Sequence, residues 1–210
     1  MQRIVAALDS AQLVRSSGAG GLRLGPALLK LISSVHSDVV DLVRPFLEQL
    51  SANVNETVTL ARASGTQLAI IHYVVASREL RVVPRIGLNL PLYSTSGGRV
   101  LLAMESDEDV RILVGDAYED LTGMTVKTFP QLQELIADVR ANGLAIDLGE
   151  TLEGVCTIAV ALDTLLGRFS ISLLVPAARF HKHEAFYRKE LMQCKEGIVN
   201  EIGRITTVEE

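Results

Sequence analysis

The stretch Ser94-Thr95-Ser96-Gly97-Gly98 places three hydroxyls and two glycines directly ahead of the apolar run Val100-Leu101-Leu102. A hydroxyl residue followed by glycines at a helix start leaves backbone N–H groups without intrahelical partners. Those amides and the positive helix end attract a carboxylate or phosphate, and glycine lets a ligand approach the backbone closely. The same residues also suit an ordinary capped helix whose glycines pack on a sheet, and residue types leave both readings open. Asp147 closes the apolar run Leu144-Ala145-Ile146. It is placed either to accept a hydrogen bond from a ligand hydroxyl or to shape a turn. Thr157 and Ser172 fall in two further apolar runs. Their hydroxyls either face a pocket or reflect strand propensity and tight packing.

Other reactive residue types lead nowhere catalytic. Cys156 has no histidine or acid at a spacing that would activate a thiolate, so it reads as a buried, inert thiol. Cys156 and Cys194 make neither a disulfide framework nor a zinc set. His72 lies in an apolar strand. His181 and His183 are two residues apart and do not face each other on a helix. We expect no catalytic residues, no metal and no cofactor. Arg78, Arg81 and Arg85 form a basic edge or a solvated strand face.

Periodicity supplies the elements that position these residues. Ile4, Val5 and Leu8 have helical spacing, and Leu13–Arg15 and Leu22–Leu24 read as a small hairpin around a turn at Ser16–Gly21. Pro26 suits the first position of a helix over Ala27–Leu50, with Pro45 splitting or kinking it and Ser37-Asp38 capping a second helix. Strands are expected at Glu56–Ala63 and Gln67–Val75, joined by Ser64-Gly65-Thr66, and at Leu80–Arg85. Helices follow at Ser94–Met104, Asp107–Val114 and Gln131–Ala141. Strands return at Leu144–Leu148, Thr157–Leu162 and Arg168–Val175. The last helix runs from about His181 to Ile205, with Leu191, Cys194, Ile198, Ile202 and Ile205 as its buried stripe. Strands joined by short turns with helices between them indicate α+β with an antiparallel sheet.

Composition bounds the function. The 210 residues are 48% hydrophobic, enough for a real core, and the net charge of −5 excludes a chain that is basic throughout. The first 24 residues run the other way, with Arg3, Arg15 and Arg23 against Asp9. Apolar runs such as Leu68–Ile71 and Ile171–Pro176 are too short to cross a bilayer. The start Met-Gln-Arg-Ile-Val lacks a signal-peptide layout. We therefore expect a cytoplasmic protein with no membrane partner.

The order of segments resembles the isocitrate-lyase-regulator (IclR) family of bacterial transcription factors. Met1-Gln2-Arg3-Ile4-Val5, Leu8, Leu13-Val14 and Gly21-Leu22-Arg23-Leu24-Gly25 look like the end of a recognition helix and the wing of a winged helix-turn-helix. Glu56-Thr57-Val58, Leu90-Pro91-Leu92-Tyr93-Ser94-Thr95-Ser96-Gly97-Gly98-Arg99, Asn142–Asp147 with Glu150, Gly154–Ala159, and Ser170-Ile171-Ser172 running to Pro176 match the family's effector domain in order. The resemblance implies a partial winged-helix segment at residues 1–25. Residues 26–210 would be a linker helix and a GAF-like domain with a curved antiparallel sheet flanked by helices. It implies a regulator that binds a small metabolite, often an organic acid, and acts as a homodimer or homotetramer.

It also implies site residues. The amides of Ser96 and Gly97 take the effector's carboxylate or carbonyl, Asp147 is its acidic contact, and Thr157 and Ser172 are pocket side chains. Leu88, Leu90 and Leu174 are expected as the apolar wall. Leu174 falls where some relatives carry serine, which shifts preference toward a larger ligand such as an aromatic or branched organic acid. Arg3 would face DNA, although the two helices that precede the family's recognition helix are not in this sequence. Operator DNA is therefore a partner only together with those helices. Two alternatives stand beside this reading: a stand-alone metabolite-binding or dimerisation module, and a small enzyme on the same scaffold using Cys156 or Asp147.

Overall fold

A computed structural model of the chain describes residues 2–17, 21–85, 87, 89–164 and 166–202, and leaves the side chains of 2, 16, 17 and 28–38 undescribed. The chain divides into two compact units, residues 1–42 and 43–210. In the first, helix α1 (Gln2–Ser10) leads into the antiparallel strands β1 (Val14–Ser17) and β2 (Gly21–Leu24). The expected helix and hairpin are both present, and residues 18–20 of the turn lie outside the described set. Gly25 closes the hairpin. A Cβ there would collide with the backbone of Gln12, and the Gly25 N–H donates to Leu13 O at 2.8 Å. Arg15 and Arg23 are direct cross-strand partners.

Helix α2 (Ala27–Val54) begins in the first unit and ends in the second. It is one helix. The split expected at Pro45 and the second cap at Ser37-Asp38 do not occur. Proline removes one N–H from the helical ladder. In compensation, Val43, Leu47, Leu50 and Val54 recur at helical spacing and are all buried.

The second unit is built on a curled six-stranded antiparallel sheet in the order β5-β4-β3-β8-β7-β6. Its strands are β3 (Thr57–Ser64), β4 (Gln67–Val74), β5 (Asn89–Pro91), β6 (Ala145–Leu148), β7 (Val155–Thr164) and β8 (Gly167–Pro176). The β3–β4 turn tightens to Gly65-Thr66, since Ser64 already pairs with Gln67, and Gly65 takes φ +59°. No strand forms at Leu80–Arg85; residues 75–85 have no regular structure. Hydrogen bonds reach this segment singly instead. Thr57 Oγ1 donates to Val82 O (2.6 Å) and accepts from the Ala76 N–H (3.2 Å), and Arg179 donates to Leu80 O (2.9 Å). The edge position is taken by β5, which the sequence reading missed because three residues carry no periodicity.

Among the described residues four further helices follow in the unit: α3 (Ser96–Leu102), α4 (Asp107–Val114), α5 (Phe129–Asn142) and α6 (Ala177–Ile202). Three of them have hydroxyl caps: Thr95 accepts from the Gly98 N–H, Ser106 from Asp109 and Thr128 from Gln131. Gly143, at φ +76°, ends α5. Leu191, Cys194 and Ile198 of α6 are buried, and Ile205 lies outside the described residues. Among the described residues no helix is long and apolar enough to cross a membrane.

Strand alternation gives the two sheet faces different characters. Ile158, Val160 and Leu162 of β7 and Phe169, Ile171 and Leu173 of β8 are nearly fully buried large side chains, and α6 packs against these two strands. The alternate residues are small except Leu174: Thr157, Ala159 and Ala161 pair with Leu174, Ser172 and Ser170. Helix α3 lies against this small-residue face, with Val100 packed on Ala145 and Ala159.

Candidate functional site

Between α3, the small-residue face and the 82–85 segment lies a cavity of about 380 Å³. It is within the usual size range for small-molecule sites. Cross-strand register assembles its floor: Thr59 opposes Ser172, Leu174 opposes Thr157, and Thr157 opposes Asp147. Ser96, Gly97, Asp147, Thr157, Ser172, Leu90 and Leu174 all line it. The chain positions nominated from sequence and spread over 85 residues therefore meet at one hollow. Leu88 lies outside the described residues. Arg3 is exposed on α1, in the other unit.

Several lining residues were not foreseen. Thr59 and Ile70 come from the β3–β4 hairpin, Val82 and Val83 from the irregular segment, Thr151 and Leu152 from the loop before Gly154, and Val155 from the start of β7. Strand pairing brings the first pair in, and the second pair arrives because the expected 80–85 strand is absent. No local pattern announced either.

In the Ser94–Gly98 segment the capped, packed helix start is seen at Thr95 and Gly98, while Ser96 and Gly97 border the cavity. Gly98 is a packing glycine, since a Cβ there would overlap the backbone of Leu92. Gly97 borders the cavity, and a Cβ on it would stand 3.0 Å from Leu68 Cδ2, Ser170 Oγ and Ser172 Oγ. Thr95 satisfies the Gly98 amide, which leaves the amides of Ser96 and Gly97 as the unclaimed first donors of α3. Ser96 Oγ and Thr157 Oγ1 lie 2.6 Å apart and share a hydrogen bond between helix and strand.

Asp147 is 1% exposed. One carboxylate oxygen accepts from the N–H groups of Gly149 (3.0 Å) and Glu150 (2.6 Å). Burial pushes its carboxyl above the usual aspartate range, opposed by the Thr151 hydroxyl, the Glu150 amide, Arg99 and the Thr151 amide. Arg99, itself 1% exposed, holds the polar wall in place. It donates to Tyr93 O (3.0 Å), Ser94 O (3.2 Å), Ile146 O (3.2 Å) and both carboxylate oxygens of Glu150. Thr151 Oγ1 also donates to Ser94 O at 2.7 Å. The turn ahead of α3 and the loop behind β6 are thus one hydrogen-bonded block. Its only sequence sign was the match of Arg99 and Glu150 to separate motifs.

The arrangement suits binding. Cys156 is 2% exposed, and burial together with the Asp147 charge raises its thiol pKa, the opposite of an activated nucleophile. Among the described residues no group of His, Cys, Asp and Glu is placed to hold a metal ion.

An effector-sized cavity under a short helix, on a curled antiparallel sheet, defines a ligand-sensing domain. Residues 32–200 match the family described as bacterial transcriptional regulator IclR C-terminal, and the chain belongs to that family. It is 40% identical over 205 residues to the HTH-type transcriptional regulator TtgV of Pseudomonas putida, covering 97% of this chain and 79% of that one. It is 34% identical over 187 residues to the HTH-type transcriptional regulator Rv1719 of Mycobacterium tuberculosis, covering 88% and 72%. The crystal structure of the Agobacterium tumefaciens repressor BlcR superposes with a TM-score of 0.73 at 26% identity, covering 98% of this chain and 84% of that one. These relatives are regulators of transcription, not enzymes, and regulators of this family bind small-molecule effectors and DNA.

Proposed function

We propose that this chain senses a small organic effector in the cavity beneath α3 and passes its occupancy to a DNA-binding portion. The observation that carries this is convergence: Ser96 and Gly97 of α3, Asp147 of β6, Thr157 of β7 and Ser172 and Leu174 of β8 line one cavity. The Ser96 and Gly97 amides take a carbonyl or carboxylate oxygen of the effector, and Leu90 and Leu174 hold its apolar part. Residues 1–25 form the end of the recognition helix and the wing, with Arg3 toward DNA, and residues 26–210 form the effector domain with its linker helix. The chain works in the cytoplasm as a homodimer or homotetramer, as the abundance of apolar residues over Leu28–Leu50 supports.

Thermal-shift screening of organic acids, alcohols and amides against three proteins tests the site. Proline fits the first turn of a helix, so Ser96→Pro removes one amide donor. It is expected to weaken the best ligand by about 1–3 kcal/mol, beyond the loss in Ser96→Ala, which lacks only the hydroxyl. Equal stabilisation of all three proteins would place the site elsewhere. Light scattering across the micromolar range tests assembly, and a strictly monomeric mass would refute it.

A further inference from the structure

The cavity's charges are one-sided. Its buried charge is the Asp147 carboxylate. Among the described lining residues the one cation is Arg85, whose side chain is exposed. The polar groups are largely spent within the protein. Ser96 and Thr157 hold each other, Thr95 caps Gly98, and Thr151 donates to Ser94 O. Thr59 and Ser172 keep hydroxyls at the floor, and most of the remaining wall is aliphatic, including Leu68, Ile70, Val82, Val155 and Leu174. Helix α3 has only seven residues, so it offers an anion a weak dipole.

We propose that the effector is an uncharged, largely apolar molecule with one hydrogen-bonding end, and that the cavity selects against carboxylates. The proposal rests on the effector reading above and sharpens it. A ligand carboxylate would lose its water beside a second buried carboxylate, with no buried cation in the cavity lining to pair with it, since Arg99 lies behind the wall and is paired with Glu150. The surroundings already disfavour negative charge, since burial raises the carboxyl pKa of Asp147 itself. A hydroxyl or amide meets no such penalty. Its oxygen can accept from the Ser96 or Gly97 amide, and its proton can go to Asp147 or Ser172. The aliphatic walls remove the rest of the molecule from water.

Matched pairs of equal shape test charge alone: benzamide against benzoate, and cyclohexanecarboxamide against cyclohexanecarboxylate. Each is titrated into the full chain at neutral pH, with affinity read from methyl NMR shifts at Ile70, Leu90 and Leu174. The expected result is that the amides move these signals with affinities at least tenfold above those of their carboxylate twins. Asp147→Asn should narrow the gap by improving the carboxylates. If carboxylates bind these methyls as tightly as amides or more so, the charge selection is overturned and the site stands. If both series leave these methyls unmoved, the effector site itself is overturned, and the selection with it. The wild-type ratio decides the matter even if the variant fails to fold.

Discussion

Arg99 shows how much one buried side chain can fix. Its planar fork satisfies three backbone carbonyls and a carboxylate at once. Glu150, its ionic partner, is raised by burial and held down by Arg99. Removing one member of such a pair strands the other, at a cost of about 3–5 kcal/mol, whereas replacing both by apolar groups costs far less. Arg99→Met should therefore lower stability by that amount in urea unfolding, and Arg99→Met with Glu150→Met should recover part of it. A double variant as weak as the single would refute this account. Asp147 carries a pH signature. Its folded pKa lies above the ordinary 3.8 because of burial, so the folded chain holds this proton after the unfolded chain has released it. Stability from this group is present below the ordinary value and is lost as pH rises through the raised one. Asp147→Asn should consequently gain on the wild type in urea midpoints taken from pH 4 to 7. An equal slope in both proteins would contradict it.

At the scale of elements, the irregular 75–85 segment is part of the cavity wall and depends on anchors outside itself. Glu56 is 0% exposed and takes a bidentate pair from Arg179 at 2.8 and 2.9 Å, while Tyr187 donates to it at 3.2 Å. Burial first and Glu56 second push the Tyr187 pKa up to about 12, so this hydroxyl stays a donor. Ser51 of α2 donates to Glu56 O at 2.9 Å. One residue between α2 and β3 thereby ties α2, α6 and the cavity wall together. Arg179→Met leaves Glu56 buried without its cation and frees Leu80 O. It should cost about 3 kcal/mol or more and raise hydrogen exchange at residues 76–82 above that of β7 and β8. Uniform exchange across the unit would mean that Arg179 acts only through global stability.

At the scale of the whole molecule, charge separates the two units. The first 24 residues carry three arginines against one aspartate on a chain of net −5. Arg15 and Arg23 sit side by side across the hairpin and are exposed. A face with so few cations neutralises few phosphates, so the 210-residue chain should bind duplex DNA weakly. Its log affinity should fall with log salt at a slope of roughly −3 at most, about −0.9 for each phosphate neutralised. Fluorescence anisotropy across a salt series would measure it. Tight, sequence-specific binding at physiological salt would show that α1 and the hairpin suffice on their own.

What the residues determined alone was local and periodic. Helical spacing marked α1, α4, α5 and α6, apolar β-rich runs bounded by short turns marked the long strands, and hydroxyl–glycine chemistry marked the start of α3. Thr157 of β7 and Ser172 of β8 were visible too, and with Asp147 they supplied the polar strand residues of the nominated site. Tertiary structure decided what depends on partners distant in the chain. It kept α2 continuous through Pro45 by burying the residues around it, and it left residues 80–85 unpaired while β5 took the sheet edge. It set Thr59 opposite Ser172, and it spent Arg99 on carbonyls and a carboxylate up to 51 residues away. A pattern along the chain reports which face a residue prefers. Which residue stands across from it is fixed only by register and packing.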